Sequence, residues 1–232
     1  MNTRLWLRVQ LMFLYGVLIA VSLFMLLPFL WMLRTSFLPK FEIFTHPPTI
    51  FSPNMNLDAF RTIWLQYHGG QVLLNSFIIA LGATLLQLLF SSLGGYSFAK
   101  FVFPGRNALF FFLLGTLIIP FSVIMVPLFV VMRTLHWIDT FWALIIPGAA
   151  SAFGIFFTRQ YIQQGIESEL LDAARIDGAS EWGVYWSIVL PVIRPGLISL
   201  GLIFFMTHWN SFLWPLVILK SPAKFTLPLL IR

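Results

Sequence analysis

The stretch from Leu170 to Pro191 reads LLDAARIDGASEWGVYWSIVLP and combines acidic, basic and small residues. It lies between apolar segments in a chain of 232 residues, of which 59% are hydrophobic and 9% are charged. Globular domains carry about 25% charged residues, so the composition predicts an integral membrane protein. So polar a segment is expected outside the hydrocarbon layer, where it is free to contact a partner.

Five segments of the chain are predicted to cross the membrane, because a helix of about 20 apolar residues spans the hydrocarbon layer. These spans are 10–33, 72–98, 108–132, 140–161 and 196–219, and residues 162–195 form a polar loop before the last one. The predicted fold is therefore all-α: a single domain, residues 1–232, built as a polytopic transmembrane helix bundle. The first span is longer than the apolar region of a signal peptide, about 7–15 residues, so we expect it to be retained.

Prolines within or at the ends of these spans predict kinked helices, since proline lacks a backbone hydrogen-bond donor. They are Pro28, Pro120, Pro127, Pro147 and Pro215. Kinked helices are common in transport proteins, but they do not by themselves identify one.

The connection between the first two spans contains a proline-rich run, THPPTIFSPN, followed by NLDAFRTIWLQYH. The proline-rich run predicts an extended backbone. In the second stretch Asn56 is a suitable N-cap. Four large side chains then fall on one helical face: Leu57, Phe60, Trp64 and Tyr67. This pattern predicts a short amphipathic helix on the membrane surface.

The distribution of Lys and Arg leaves the orientation nearly undecided, although positive charges favour the cytoplasmic side. With the N-terminus inside, equal numbers of basic residues fall on the two sides of the membrane. Two close pairs in very short segments, Arg4 with Arg8 and Lys100 with Arg106, favour the N-inside orientation.

Several kinds of site are absent from the sequence. The chain has no cysteine, so it has neither a disulfide framework nor a cysteine metal site, and its four histidines lack metal-ligand spacing. A net charge of +6 offers too little basic surface to indicate nucleic-acid binding. No G-x-x-x-x-G-K-[ST] motif occurs, so the chain does not itself bind nucleotide phosphates and no cofactor is expected in it. Energy for transport must then come from a partner or an ion gradient.

The polar loop has the pattern of two short helices joined by a glycine turn. Ser168 is a suitable N-cap for the first helix, which is expected to end near Ile176, and Gly178 supplies the left-handed residue that follows. Ser180 is a suitable N-cap for the second helix, which is expected to end at Leu190–Pro191.

Small and acidic residues in this loop favour contact with a partner. Four residues share one side of the first helix: Leu170, Ala173, Ala174 and Asp177. The two alanines allow another backbone to approach closely. Interfacial helices favour Lys and Arg, whereas this loop holds more than half of the eight acids in the chain. Docking of a cytosolic protein is therefore favoured, and an interfacial or internally packed helix pair stays as the alternative.

The spacing of the loop resembles the EAA loop of ABC importer permeases, in which Glu-Ala-Ala is followed by a glycine four residues on and then by Ile-x-Leu-Pro. The matching positions are Asp172, Ala173, Ala174, Gly178, Ile188, Leu190 and Pro191. Asp172 replaces the usual Glu, and Glu167 stands where a proline is commoner. Neither replacement removes the glycine turn or the alanines.

Other stretches resemble the sugar-importer, MalG-like branch of these permeases, among them PFLWMLRTSF, GGYSFAKFVFPGR and WNSFLWPL. The resemblance implies a MetI-like permease of the bacterial inner membrane, with the N-terminus and the loop in the cytosol. It implies as partners two ATPase subunits, which bind ATP and Mg²⁺, a second permease chain and an extracytoplasmic solute-binding protein. The ATPase is expected to bind the first loop helix, including Asp177. This helix is then expected to transmit the closing motion of the ATPase to the spans.

Members of that family have a sixth span after the TLP region, whereas this chain ends at Arg232 after five predicted spans. A missing sixth span is therefore expected. Its loss would expose packing surfaces built for another helix.

Polar side chains in the last predicted span are candidates for a solute pathway. They are His208, Trp209, Asn210 and Ser211. An aromatic ring suits the apolar face of a sugar, and an amide suits its hydroxyl groups. The alternative is hydrogen bonding between helices, worth about 0.6 kcal/mol per contact. The same alternative applies to three polar residues of the second span: Asn75, Thr84 and Gln87.

The sequence therefore predicts a permease subunit, not itself an enzyme, that forms the pathway of an ATP-driven importer for a sugar or sugar-like solute. Two alternatives are kept, an ion-coupled secondary transporter and a membrane anchor that recruits a cytosolic ATPase without transporting. No Asp, Glu, Lys or Arg lies in the middle of a predicted span, which counts against the ion-coupled carrier.

Overall fold

The computed structural model describes residues 3–45 and 52–230. Its α-helices are α1 Thr3–Ser36, α2 Lys40–Ile43, α3 Asp58–Arg61, α4 Gly69–Lys100, α5 Arg106–Gly115, α6 Phe121–Thr134, α7 Trp142–Ile145, α8 Ala152–Gly165, α9 Ser168–Ile176, α10 Glu181–Val184, α11 Leu190–Trp209, α12 Leu213–Ile218 and α13 Leu227–Leu230. Wider π turns extend α3 over Thr62–Gln66 and join α10 to α11 over Tyr185–Val189. Since no strand occurs in the described residues, the all-α prediction is confirmed.

The chain divides into two compact units, residues 1–68 and 69–232. In the first unit, α1 covers the predicted span 10–33, and an 18-residue stretch within Trp6–Ser36 has a mean hydropathy of 2.4. Residues 46–51, most of the proline-rich run, lie outside the described residues. The Asn56 side chain accepts the backbone N–H of Asp58 at 3.0 Å, but Leu57, not Asn56, directly precedes α3, and no side chain caps that helix, so the capping prediction for Asn56 was wrong.

The core of the second unit is built on α4, which packs along both α8 and α11. Small residues allow this approach: a Cβ atom added at Gly95 of α4 would lie 2.6 Å from Thr158 Cβ and 2.9 Å from the Arg159 backbone nitrogen on α8. A Cβ at Gly196 of α11 would lie 2.8 Å from the Tyr161 ring. Close contact through small residues is the usual way in which helices associate in membranes, where the hydrophobic effect does not drive them together.

The ends of α4 contact different parts of the chain. Near its N-terminus, Gln71 donates a hydrogen bond to the Ala223 carbonyl at 3.1 Å, and Asn75 donates to the same carbonyl at 2.9 Å. At its C-terminus, Lys100 Nζ donates to the Ile166 carbonyl at 2.6 Å. Residues 219–226 and the start of the polar loop are therefore fixed at opposite ends of a helix of 32 residues.

Two of the predicted spans are interrupted in the structure. Span 108–132 consists of α5, a 3₁₀ turn at Thr116–Ile118 and α6, and the two parts are bent by 102°. The bend lies before Pro120, which directly precedes α6 and keeps Ile119 extended. Span 140–161 contains only the four-residue α7 before Pro147, and α8 begins afterwards at Ala152. These breaks agree with the kinks predicted at the two prolines.

The last predicted span, 196–219, is also divided, because α11 ends at Trp209 and α12 begins at Leu213. Among the described residues, three helical segments are long and apolar enough to cross a membrane, and the bent pair α5–α6 would add a fourth. The three are Trp6–Ser36, Gly69–Lys100 and Glu181–Trp209. The division of the chain into five membrane crossings stays a prediction.

The expected end of the second loop helix at Leu190–Pro191 was wrong. The helix continues from Glu181 to Trp209. Pro191 lies inside this helix, and the wider turn at Tyr185–Val189 that precedes it accommodates the backbone donor that proline lacks. The second loop helix, α10, and the long helix α11 therefore form one continuous helix.

Candidate functional site

The polar loop forms an elbow, which we define as residues 168–184. Its first helix, α9, ends at Ile176, and the backbone N–H of Gly178 donates to the Arg175 carbonyl at 3.0 Å. Gly178 has φ +85°, a left-handed conformation that favours glycine. Ser180 then caps α10, with its hydroxyl accepting the N–H of Gly183 at 3.2 Å. The helix, glycine turn and second cap predicted from the sequence are confirmed.

One capping prediction was wrong. Glu167, not Ser168, precedes the first residue of α9, and no side chain caps the helix there. The Ser168 hydroxyl instead accepts a hydrogen bond from Lys100 Nζ at 3.2 Å. The cation at the end of α4 therefore fixes the start of the elbow, a contact between distant residues that no local sequence pattern predicts.

The predicted coupling residues lie in the elbow and in the stretch that directly follows it. Four of them form an exposed face: Asp172, Ala173, Asp177 and Gly178. Ala174, Ile188 and Leu190 are half-buried against an apolar cluster, whereas Pro191 is exposed. Four large apolar side chains of the same segment are also exposed: Leu170, Ile176, Trp182 and Trp186. Sequence reasoning gave no role to the last three, although exposed apolar side chains are a usual sign of an interaction surface.

The inner side of the elbow is anchored in that apolar cluster. Leu171 is only 1% exposed and packs with buried residues of α4, α8 and α11, among them Tyr96, Ile162 and Ile193. Val184 of α10 is completely buried in the same cluster. Burial of such a side chain contributes about 1.5–3 kcal/mol, so the elbow is held to the long helices and not merely tethered between them.

Arg175 neutralises two acids of the elbow. Its Nη1 donates to Asp172 Oδ1 at 2.8 Å, and its Nε donates to Glu181 Oε1 at 2.8 Å. The hydrogen bond to Glu181, followed by the one to Asp172, raises the pKa of Arg175 above its ordinary value despite the opposing effect of burial. The fork of a guanidinium suits such a double contact. The aspartate at the glutamate position of the EAA pattern is therefore paired within the elbow.

A separate cavity of about 440 Å³ lies in the second unit, and three of the four predicted pathway residues line it. These are His208, Trp209 and Ser211. Asn210 is not in the lining, because its amide donates to the Met206 carbonyl of its own helix at 2.8 Å. Whether these four residues contact a solute stays a prediction.

Three residues with hydroxyl groups that the sequence did not single out also line the cavity: Ser76, Thr207 and Thr226. Thr226 is 4% exposed, and its hydroxyl has no hydrogen-bond partner. Ser76 is equally buried, and its hydroxyl accepts the N–H of Leu227 at 2.7 Å. An unpartnered buried hydroxyl costs free energy, so the Thr226 hydroxyl is a ready partner for a polar group that enters the cavity.

Some polar residues of the predicted spans form hydrogen bonds with other segments, as the alternative to a solute pathway proposes. His208 Nε2 lies 2.9 Å from Gln87 Oε1, which joins α11 to α4. Asn75 donates to carbonyls of residues 223 and 225. The Thr84 hydroxyl is buried without a partner. In the part of the chain that the structure describes, no three His, Asp or Glu side chains are grouped closely enough to hold a metal ion.

Comparison with known proteins identifies the family. Residues 91–232, more than half of the chain and including the elbow, match the family described as binding-protein-dependent transport system inner membrane component. The chain belongs to this family. The permease is also 40% identical over 210 residues to the arabinooligosaccharides transport system permease protein AraQ of Halalkalibacterium halodurans, covering 87% of this chain and 73% of the relative.

A second relative and a solved structure agree with this family. The permease is 35% identical over 217 residues to the lactose transport system permease protein LacG of Rhizobium radiobacter, covering 94% of this chain and 78% of the relative. A bacterial ABC transporter involved in the import of the acidic polysaccharide alginate has the same fold, with a TM-score of 0.81 and 23% identity over 97% of this chain and 78% of that one. The predicted ABC importer permease and its helical fold are confirmed.

Membership of this family gives the location of the permease and the general kinds of partner. It is an inner-membrane component of a transport system, and the family implies in general an ATPase, a second permease and a solute-binding protein.

Proposed function

We propose that this permease forms part of the translocation pathway of an ATP-driven importer for a sugar or sugar-like solute, and that the elbow is the docking site of the ATPase. The observation that carries the proposal is the elbow itself. Its exposed face combines a glycine turn, an alanine and acids, while its inner face is anchored to α4, α8 and α11. A segment of this kind passes a force applied at its surface to the long helices.

A carbohydrate solute is supported by two independent arguments. The similar permeases AraQ and LacG are named for arabinooligosaccharides and lactose. The cavity offers the Trp209 ring and the hydroxyl groups of Ser76, Ser211 and Thr226, while no Asp, Glu, Lys or Arg is among the described residues that line it. Rings and neutral hydroxyls suit an uncharged sugar, whose apolar face stacks and whose hydroxyl groups form hydrogen bonds.

The proposed orientation has the N-terminus and the elbow in the cytosol and the chain crossing the membrane five times. Lys100 and the elbow then lie on the inner side, where the ATPase subunits bind. Asp139 and residues 219–226 lie at the other end of α4, facing the solute-binding protein. A second permease chain completes the pathway around the cavity.

In this mechanism the ATPase subunits close when they bind ATP and Mg²⁺, and α9 moves with them. Because α10 and α11 are one continuous helix, movement of the elbow also shifts Trp209 and the cavity. Access to the cavity then changes from one side of the membrane to the other.

The test is uptake of labelled arabinotriose into liposomes that contain this permease together with the ATPase, second permease and solute-binding protein of its transport system. We expect uptake that depends on ATP inside the liposomes and persists when a protonophore is added. Uptake that the protonophore abolishes while ATP stays high would favour an ion-coupled carrier. ATPase binding without any uptake would favour a membrane anchor.

The cavity is tested in the same liposomes. Trp209→Leu should lower arabinotriose uptake about tenfold, since loss of a contact worth about 1.4 kcal/mol changes an equilibrium constant by that factor. Asn210→Ala is the matched control, because the neighbouring amide bonds within its own helix. Equal uptake by the two variants would show that Trp209 does not contact the solute.

A further inference from the structure

Three elements of the permease meet at the carboxylate of Glu181, the first residue of α10. Arg175 of α9 donates from Nε to Oε1 at 2.8 Å and from Nη2 to Oε2 at 3.3 Å. Tyr96 of α4 donates its hydroxyl to Oε2 at 3.1 Å. One acidic side chain therefore links both helices of the elbow to the longest helix of the second unit.

Tyr96 holds its end of this link rigidly. Its side chain is 4% exposed, and its ring lies 5.2 Å from the Phe101 ring and 5.8 Å from the Tyr185 ring, between centroids. A ring packed on two sides cannot follow a moving elbow by changing rotamer. The position of the hydroxyl is thus set by α4 and not by the elbow.

The charged members of the link are exposed enough to make it weak as a source of stability. The Arg175 and Glu181 side chains are 33% and 44% exposed, and ion pairs in contact with water contribute little to folding. Their geometry is nevertheless specific, because the guanidinium also reaches Asp172 on the outer face of α9. A continuous set of hydrogen bonds therefore runs from Tyr96 to an exposed residue of the elbow.

We propose that Tyr96 is a positioning residue of the elbow, which holds Glu181, and through it Arg175 and Asp172, so that displacement of α9 moves α4. The coupling part of this inference rests on the proposed docking of the ATPase at the elbow. Tyr96 itself is buried and is not part of the exposed docking face. Removal of its hydroxyl should therefore leave ATPase binding intact and weaken the transfer of motion.

The chain provides a matched control. Tyr185 is 2% exposed and belongs to the same apolar cluster as Tyr96, but its hydroxyl pairs with Ser92 at 2.6 Å and not with the elbow acids. Tyr96→Phe and Tyr185→Phe each remove one buried hydroxyl and one hydrogen bond. A merely structural effect would appear in both variants, whereas a positioning effect would appear only in Tyr96→Phe.

The first measurement needs only the permease in detergent. Amide hydrogen exchange of α9 should be about tenfold faster in Tyr96→Phe than in the wild type, as expected when a hydrogen bond to a charged group is lost. It should be unchanged in Tyr185→Phe. Equal α9 exchange rates in the wild type and Tyr96→Phe, or equal acceleration in both variants, would overturn the proposal.

The second measurement uses the reconstituted importer. For Tyr96→Phe we expect normal ATPase capture and about ten times more ATP hydrolysed per arabinotriose imported, again with Tyr185→Phe unchanged. An unchanged ratio in Tyr96→Phe would overturn the coupling role. Failure of the proposed function would look different, because the wild type itself would then show no ATPase capture or no ATP-dependent uptake.

Discussion

Asp139 and Ser221 are joined by two hydrogen bonds across two connections of the permease. The backbone N–H of Ser221 donates to Asp139 Oδ1 at 3.0 Å, and its hydroxyl donates to Oδ2 at 2.5 Å. The backbone N–H of Lys220 and the Lys224 ammonium add contacts at 2.9 and 3.1 Å. Asp139 has φ +61°, an uncommon value for a residue with a side chain, and these contacts hold it there.

Asp139→Asn should destabilise the permease. The amide keeps the shape of the side chain but loses the charge and one acceptor oxygen, so we expect the free energy of unfolding to fall by about 1–3 kcal/mol. Thermal unfolding of the two proteins in detergent measures this loss of stability. Lys220→Ala is the control, because the recorded contact of Lys220 with Asp139 is through its backbone N–H. Equal losses in the two variants would contradict the role given to the carboxylate.

The same carboxylate should make stability depend on pH. Burial alone would raise the pKa of Asp139, but hydrogen bonds from Ser221, the Lys220 backbone and Lys224 outweigh it and hold the pKa well below the ordinary 3.8. A carboxyl whose pKa is lowered on folding contributes stability above its unfolded pKa and loses it as the pH falls towards the folded pKa.

The difference in stability between the wild type and Asp139→Asn should therefore be constant above about pH 5 and shrink below about pH 4. Unfolding temperatures of both proteins, measured between pH 6 and the lowest pH at which the permease stays soluble, give this difference. A difference that grows on acidification would have the wrong sign for a stabilised carboxylate.

Gly95→Ala should disturb the contact between α4 and α8. The added methyl group would lie 2.6 Å from Thr158 Cβ and 2.9 Å from the Arg159 backbone nitrogen, and backbone atoms cannot move aside cheaply. We expect a loss of about 1–3 kcal/mol, typical of overpacking, in a denaturant titration. Gly165→Ala, where no atom lies within 4 Å of the new Cβ, should be neutral or slightly stabilising.

Local rules predicted the elbow well because its shape depends on neighbouring residues. Gly178 takes the left-handed conformation, and Ser180 caps α10, as residue types and spacing required. The bend at Pro120 follows equally from a missing donor and from the restricted residue before it. Each of these features is decided within about one helical turn of sequence.

Features that depend on distant residues could not be predicted. Ser168 pairs with Lys100, 68 residues away, instead of capping α9. Thr226 joins the cavity lining although nothing near it in sequence indicates a pathway. A helical period tells which residues share a face, but which neighbour covers that face is decided by the packing of the whole bundle.

Gly178→Val tests the elbow as the docking site of the ATPase. Gly178 has φ +85° with no atom within 4 Å of an added Cβ, so the main effect of a side chain there is backbone strain of about 1–2 kcal/mol. We expect membrane insertion and helix content to stay normal, because the strain is relieved by a local change in the turn. The direction of α10 relative to α9 should change, and the ATPase should no longer be captured.

Gly105→Val is the matched control for this prediction, since Gly105 has φ +79° and equally open surroundings but begins α5 in a different connection. Both valines impose similar strain, so only the place of the altered turn differs. Capture of the ATPase by affinity-tagged permease should be lost with Gly178→Val and kept with Gly105→Val. Gly178→Asn should retain part of the ATPase capture, because asparagine tolerates the left-handed region better than a β-branched residue does. Normal capture by Gly178→Val would mean that the ATPase does not depend on the shape of this turn.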